Sequence, residues 1–135
     1  MRHKPKITKP ENAGQDEWEY RDGDVLAIIS SDLKSYCEIQ EFSSSQPRKG
    51  NGRAAIKWMK NKYQNIHVND PGNEIDAPDA FLFWCKLAEE NLIHSMIDGD
   101  STPIFEDGEW IIGNLHPDDY PELYRRLTGN APALT

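Results

Sequence analysis

Tyr36-Cys-Glu-Ile-Gln-Glu-Phe42 runs into Ser43-Ser-Ser-Gln-Pro-Arg-Lys49, then Gly50-Asn-Gly52, then Arg53-Ala-Ala-Ile-Lys-Trp-Met-Lys60, and this stretch decides the fold. The first segment has the two-residue period of a strand: Cys37, Ile39 and Glu41 face one way, and Tyr36, Glu38, Gln40 and Phe42 the other. A polar loop follows. From Arg53 the period becomes helical, with Ala55, Ile56, Met59 and Tyr63 on one stripe and Arg53, Lys57 and Lys60 on the other. A buried-type strand, a Gly-x-Gly loop and a helix with a basic face together make an anion cradle. The first glycine lets the backbone take positive φ, and the second lets a ligand approach where a Cβ would collide. The N–H groups of the first helical turn point outward, and the helix dipole favours negative charge there. A pyrophosphate suits this arrangement, with Arg48, Lys49 or Arg53 adding charge.

Upstream, Met1 to Gln15 carries four basic residues and two prolines and reads as a mobile basic arm. Trp18 and Tyr20 alternate with charged residues as a strand, Arg21-Asp-Gly-Asp24 carries a hairpin signal, and Val25 to Ile29 is a β-branched buried strand. Downstream, Asn65 to Val68 is a short strand. Ala77 to Asn91 is a helix with Asp76 as the expected N-cap and an apolar stripe of Ala80, Phe83, Trp84 and Leu87. Leu92 to Ile97 fits helix or strand. Pro103 to Gly113 reads as a hairpin turning at Glu106-Asp-Gly108, and Pro117 to Leu127 as a terminal helix. The order predicts an α+β fold: a mixed, mostly antiparallel central sheet with packed helices, in one domain over residues 16–128 with a tail over 129–135.

Composition narrows the function. Apolar and charged residues stand at 37% and 28%, as in a globular chain, and Val25 to Ile29, the longest apolar run, is far short of a bilayer span. The absence of an N-terminal leader pattern points to the cytoplasm, with Cys37 and Cys85 as buried free thiols. The four histidines show no ligand spacing, so no metal is expected. A net charge of −8 counts against nucleic acid as a partner, although the acid-free segment from Phe42 to Asn69, with six basic residues, keeps that partner open.

Gly-Lys-Ser/Thr is absent after the glycines, and Gly50-Asn-Gly-Arg-Ala-Ala55 lacks the third spacing of the dinucleotide fingerprint. Residues 24 to 90 resemble the GNAT acyltransferases instead. Glu38 to Trp58 looks like that family's fourth strand, pyrophosphate loop and third helix. Asn65-Ile-His-Val68 looks like its fifth strand, and Ala80-Phe-Leu-Phe-Trp-Cys-Lys-Leu87 like its Ala-x-x-Phe-Tyr-x-Lys-x helix. The resemblance implies a GNAT-like fold and acetyl-CoA as acyl donor. Gly50, Asn51, Gly52, Arg53 and Ala54 match the pyrophosphate-binding amides. Phe42 and Ser43 match the strand end whose backbone pairs with pantetheine and polarises the thioester carbonyl. Glu38 and Gln40 lie where relatives carry a carboxylate or its ordered water. Two positions depart from the pattern: Pro47 replaces the Arg/Gln that opens the loop motif, and Trp84 replaces the tyrosine that protonates the departing thiolate.

An attacking amine must be neutral, and an ordinary primary amine is protonated at neutral pH, so a base helps; Glu38 or Glu41 is the candidate, with face parity favouring Glu38. A backbone N–H near Phe42 or Ser43 serves the oxyanion. An indole donates a hydrogen bond but is no acid at neutral pH, which leaves Tyr63 and Cys85 as other candidates for the proton donor. The expected activity is transfer of an acetyl group to an amine, on a small molecule or a protein lysine, by direct attack. The acceptor site would come from the arm, the C-terminal hairpin or a second subunit, as in a homodimer. The alternatives are a binding or regulatory protein on the same fold, supported by Trp84, and a relative that modifies a nucleic-acid base.

Overall fold

The computed structural model describes residues 5–45 and 50–129. Among the described residues the chain is α+β, with eight strands, three α-helices and one short 3₁₀ turn. It divides into two compact units, residues 1–69 and 70–135, where the sequence suggests one domain over 16–128.

The first unit holds β1 (Lys6–Thr8), β2 (Glu17–Asp22), β3 (Val25–Ser31), β4 (Tyr36–Ser44), α1 (Asn51–Tyr63) and β5 (Asn65–Asn69). β1 to β4 pair antiparallel in succession, and β4 pairs with β5 in parallel, so the sheet is mixed, as expected. Lys6–Thr8 lies inside the predicted mobile arm but pairs with Arg21, Tyr20 and Glu19. Three residues with one apolar member are too short a signal for periodicity to detect. Strands β2 and β3 meet at Gly23-Asp24, as the hairpin signal requires. Between β3 and β4, the Asp32 carboxylate accepts from the amides of Lys34 (2.9 Å), Ser35 (2.8 Å) and Tyr36 (3.2 Å) and from the Ser35 hydroxyl.

One face of this sheet forms the core. Tyr20, Val25, Ala27, Ile29, Cys37, Ile39, Ile66 and Val68 are buried there, and α1, which lies against β3, β4 and β5, buries Ala55, Ile56, Met59 and Tyr63. The α1 stripe is the predicted one. Apolar positions at helical spacing on α1 match apolar positions at alternate spacing on the strands, which is why both elements form here.

The strand parity predicted for β4 fails beyond Ile39. Ile29 faces Ile39, but Ile28 faces Glu41, so Gln40 is the extra residue of a β-bulge. A bulge shifts every later side chain to the other face. Phe42 pairs with the buried Ala27 and Ser44 with the buried Val25, so both join the core side. Glu41 and Ser43 are exposed and lie on the opposite face with Glu38. Parity therefore no longer separates Glu38 from Glu41.

The second unit holds α2 (Pro78–Glu89), β6 (Ser95–Ile97), β7 (Pro103–Glu106), β8 (Glu109–Trp110), the 3₁₀ turn Ile112–Asn114 and α3 (Pro121–Thr128). β6, β7 and β8 form an antiparallel meander. Its tight turn has Asp107 at φ 52 and Gly108 at φ 81, the two positive values of a hairpin turn, at the predicted place. The ambiguous segment 92–97 ends as a strand, because Ser95–Ile97 finds β7. Helix α2 starts at Pro78 with Ala77 as N-cap, and Asp76 does not cap it. Asn73 instead makes a turn ahead of the helix: its side-chain oxygen accepts from the amides of Ile75 (2.9 Å) and Asp76 (2.7 Å), fixing the approach to it. The buried stripe of α2 is Phe81, Trp84, Cys85, Leu87 and Ala88; Ala80 is exposed and Phe83 half-buried, so the predicted stripe is rotated. Phe81 sets that rotation by packing against Tyr120 (centroids 5.1 Å) and Trp110 (6.5 Å). The terminal helix starts at Pro121, four residues later than Pro117.

Candidate functional site

Residue 50 is the N-cap of α1, a glycine at φ 80 and ψ 0, in the left-handed region that a side chain strains to adopt. With no side chain at the cap, the amides of the first turn receive nothing from that position. The Ala54 N–H donates to the Gly50 carbonyl at 3.0 Å. Asn51 and Arg53 are exposed, Gly52 is buried and Ala54 is half-buried. The predicted step from a positive-φ glycine into a helix is present at Gly50, but the Ala54 amide, expected among the pyrophosphate donors, is spent on the Gly50 carbonyl, and Pro47, Arg48 and Lys49 lie outside the described residues.

One neighbour of the cradle was not foreseen. The Asp24 carboxylate accepts from the Asn51 side-chain amide at 2.8 Å and from the Ser44 hydroxyl, and the Asp24 carbonyl accepts from the Ser45 amide at 3.1 Å. This ties the β2–β3 turn to the end of β4 and the start of α1. It also puts a negative charge beside the place an anion would enter. The two residues are 27 apart in sequence, so no local pattern announces the contact.

Beyond the bulge, β4 leaves β5. Their parallel ladder spans Tyr36–Ile39 against Asn65–Val68, and β5 ends at Asn69, while β4 continues to Ser44 beside β3. Alternate main-chain groups of a strand face each neighbour, so this last segment of β4 turns half of its groups toward the side that β5 has left. Phe42 and Ser43 belong to it. On the outer face, Leu26, Ile28, Glu41 and Ser43 border a depression of about 420 Å³.

Glu38 is half-buried, one residue pair before the fork, opposite Ser30 on β3 and His67 on β5. Its Oε1 accepts from the Gln40 side-chain amide, and Gln40 Oε1 accepts from Asn69 Nδ2 at 2.8 Å. The first unit therefore carries Glu38, Phe42 and Ser43 along β4 and Gly50–Ala54 at the start of α1, and Asp24 links the end of β4 to Asn51.

Of the residues weighed for the leaving-group proton, Trp84 and Cys85 belong to the second unit and Tyr63 to the end of α1. Trp84, at 5% exposure, is in the core of the second unit, edge-on to Phe83 at 4.9 Å. Tyr63 is 0% exposed at the end of α1, and burial pushes its hydroxyl up to about 12. Cys85 borders a groove of about 480 Å³ between α2 and α3, and burial likewise pushes its thiol up to about 12. Burial, helped by the Glu38 charge, does the same to Cys37. Neither thiol is a nucleophile at neutral pH. Among the described residues no His, Cys, Asp and Glu cluster can hold a metal, and no helix is long and apolar enough to cross a membrane.

Compared with protein-family models, curated proteins and solved structures, the chain matches none.

Proposed function

We propose that the first unit binds acetyl-CoA and that the chain transfers its acetyl group to an amine acceptor, on a GNAT-like fold. The observation that carries this reading is the fork: β4 parts from β5 after Ile39 and runs on toward a helix whose N-cap is a glycine with positive φ. A long ligand with a diphosphate at one end and a thioester at the other fits such a path. The first-turn amides of Gly50 to Arg53 and the exposed Arg53 side chain hold the diphosphate, and the Phe42–Ser43 edge of β4 pairs with the pantetheine arm. The thioester supplies an activated acyl carbonyl and a tolerable leaving group. A backbone N–H in the Phe42–Ser43 segment donates to that carbonyl. Glu38 takes the proton of the acceptor amine, directly or through one water.

Asp24 modulates affinity in this scheme, because an incoming diphosphate competes with its carboxylate for Asn51 and Ser44. Trp84 supports a second reading, in which the ligand is bound without efficient turnover. A core indole cannot supply the proton that a leaving thiolate takes up, so that proton must come from solvent.

Thermal unfolding with CoA or acetyl-CoA tests the binding step. A ligand at 100 times its Kd stabilises by about 2.7 kcal/mol, a clear rise in Tm for a chain of this size. Arg53→Glu keeps a good first-turn residue and reverses the charge, so the protein stays folded and the rise disappears. An unchanged rise in that variant excludes the α1 start as the binding site. Thiol release with amines, polyamines and lysine peptides then separates an enzyme from a binder.

A further inference from the structure

We propose that Gln40 is a positioning residue of this site: Asn69 and Glu38 together fix the direction of its side-chain amide, and the amide holds the Glu38 carboxylate at the point where β4 and β5 part. What Glu38 does there rests on the acyl-transfer reading; the relay itself does not.

The last backbone pair of the fork is Ile39–Val68, and the next residue on β4 is the extra residue of the bulge. In place of a further ladder step, side chains connect the strands. Asn69 Nδ2 donates to Gln40 Oε1 at 2.8 Å, and Gln40 Nε2 donates to Glu38 Oε1. Chemistry dictates the direction of both bonds. A carboxylate only accepts, so Gln40 must turn its NH₂ group to Glu38; its carbonyl then faces Asn69, which must present its own NH₂. Reversing either amide sets two acceptors against each other. All three side chains are half-buried, so water competes less for these bonds than at an open surface.

A relay of this kind suits a residue that has to meet an incoming amine. Misplacing a catalytic group by about 1 Å can cost on the order of 100-fold in rate. The bulge is what brings Gln40 into the relay, since it breaks the regular ladder at the residue that reaches both Glu38 and β5.

The test uses the full chain labelled with ¹⁵N and the side-chain NH₂ resonances of Gln40. In the unaltered protein one Gln40 NH₂ proton is expected downfield and slow to exchange, as a donor to a carboxylate. Asn69→Asp keeps size and removes the donor. The introduced carboxylate competes with Glu38 for the Gln40 NH₂, so thiol-release kcat falls about tenfold while CoA affinity stays within about twofold. Asn69→Ala, which only removes the donor, lies between the two. An unshifted, freely exchanging Gln40 NH₂ in the unaltered protein overturns the proposal. So does a signature that survives Glu38→Ala, which removes its acceptor. If CoA produces no thermal shift while the Gln40 signature behaves as described, the acyl-transfer reading fails and the relay stands.

Discussion

Helices α1 and α3 begin in opposite ways. At α3 the protein supplies its own anion: the Glu74 carboxylate accepts from the amides of Glu122 at 2.9 Å and Leu123 at 3.0 Å, from 48 and 49 residues away. The amides of the β3–β4 turn are likewise served, by Asp32. At α1 the cap is a glycine, and the nearby Asp24 carboxylate is bonded to the Asn51 side chain and the Ser44 hydroxyl. First-turn amides carry the same partial positive charge in every helix, so a start that receives a carboxylate is a structural joint, and in the proposed function the diphosphate takes that place at the glycine-led start. The functional reading rests on that contrast.

The contrast can be broken or sharpened by exchanging charges. The largest effect belongs to Arg53→Glu, which should weaken CoA binding by about tenfold or more while leaving the denaturation midpoint nearly unchanged, as read by calorimetric titration and urea unfolding. Glu74→Ala should act the other way round. Removing a carboxylate that serves two amides costs about 1–2 kcal/mol in urea unfolding and raises amide exchange across Pro121–Thr128, with no change in CoA affinity. Asp24→Asn removes the competing charge and should tighten CoA binding about threefold.

The smallest effect is expected at Asp32. The Ser35 hydroxyl first, then the amides of Lys34 and Ser35, hold its carboxyl well below the usual carboxylate range. A carboxyl depressed in the folded state contributes stability above its unfolded value of about 3.9 and loses it as the pH falls below that. Asp32→Asn should therefore flatten the acid limb of the stability–pH curve below about pH 4. The side chain is fully exposed, so only a shallow change is expected.

Local patterns carried much of this fold. The β3–β4 strands, the α1 stripe and the Asp107-Gly108 turn all follow from the chemistry of neighbouring residues, and so does the Gly50 cap. What the sequence conceals depends on residues far apart or on register. Nothing in Ile39-Gln-Glu41 marks a bulge, since neither glycine nor proline stands there, yet the bulge moves Phe42 to the core face and Glu41 to the face of Glu38. The rotation of α2 depends on Phe81 meeting Tyr120, 39 positions later, and the Asp24–Asn51 and Glu74–Glu122 contacts are equally remote. Asp76 has the right chemistry for an N-cap, but Asn73 holds the approach to α2, so the role goes unfilled. The Gln40–Asn69 bond needed the β4–β5 register before it could be seen.

The most direct measurement follows backbone amide resonances during a CoA titration. The account predicts that Asn51, Gly52 and Arg53 shift with saturation while Glu122 and Leu123, already serving Glu74, do not move. Resonances at 51–53 that stay fixed at millimolar CoA, or shifts confined to the second unit, would contradict it.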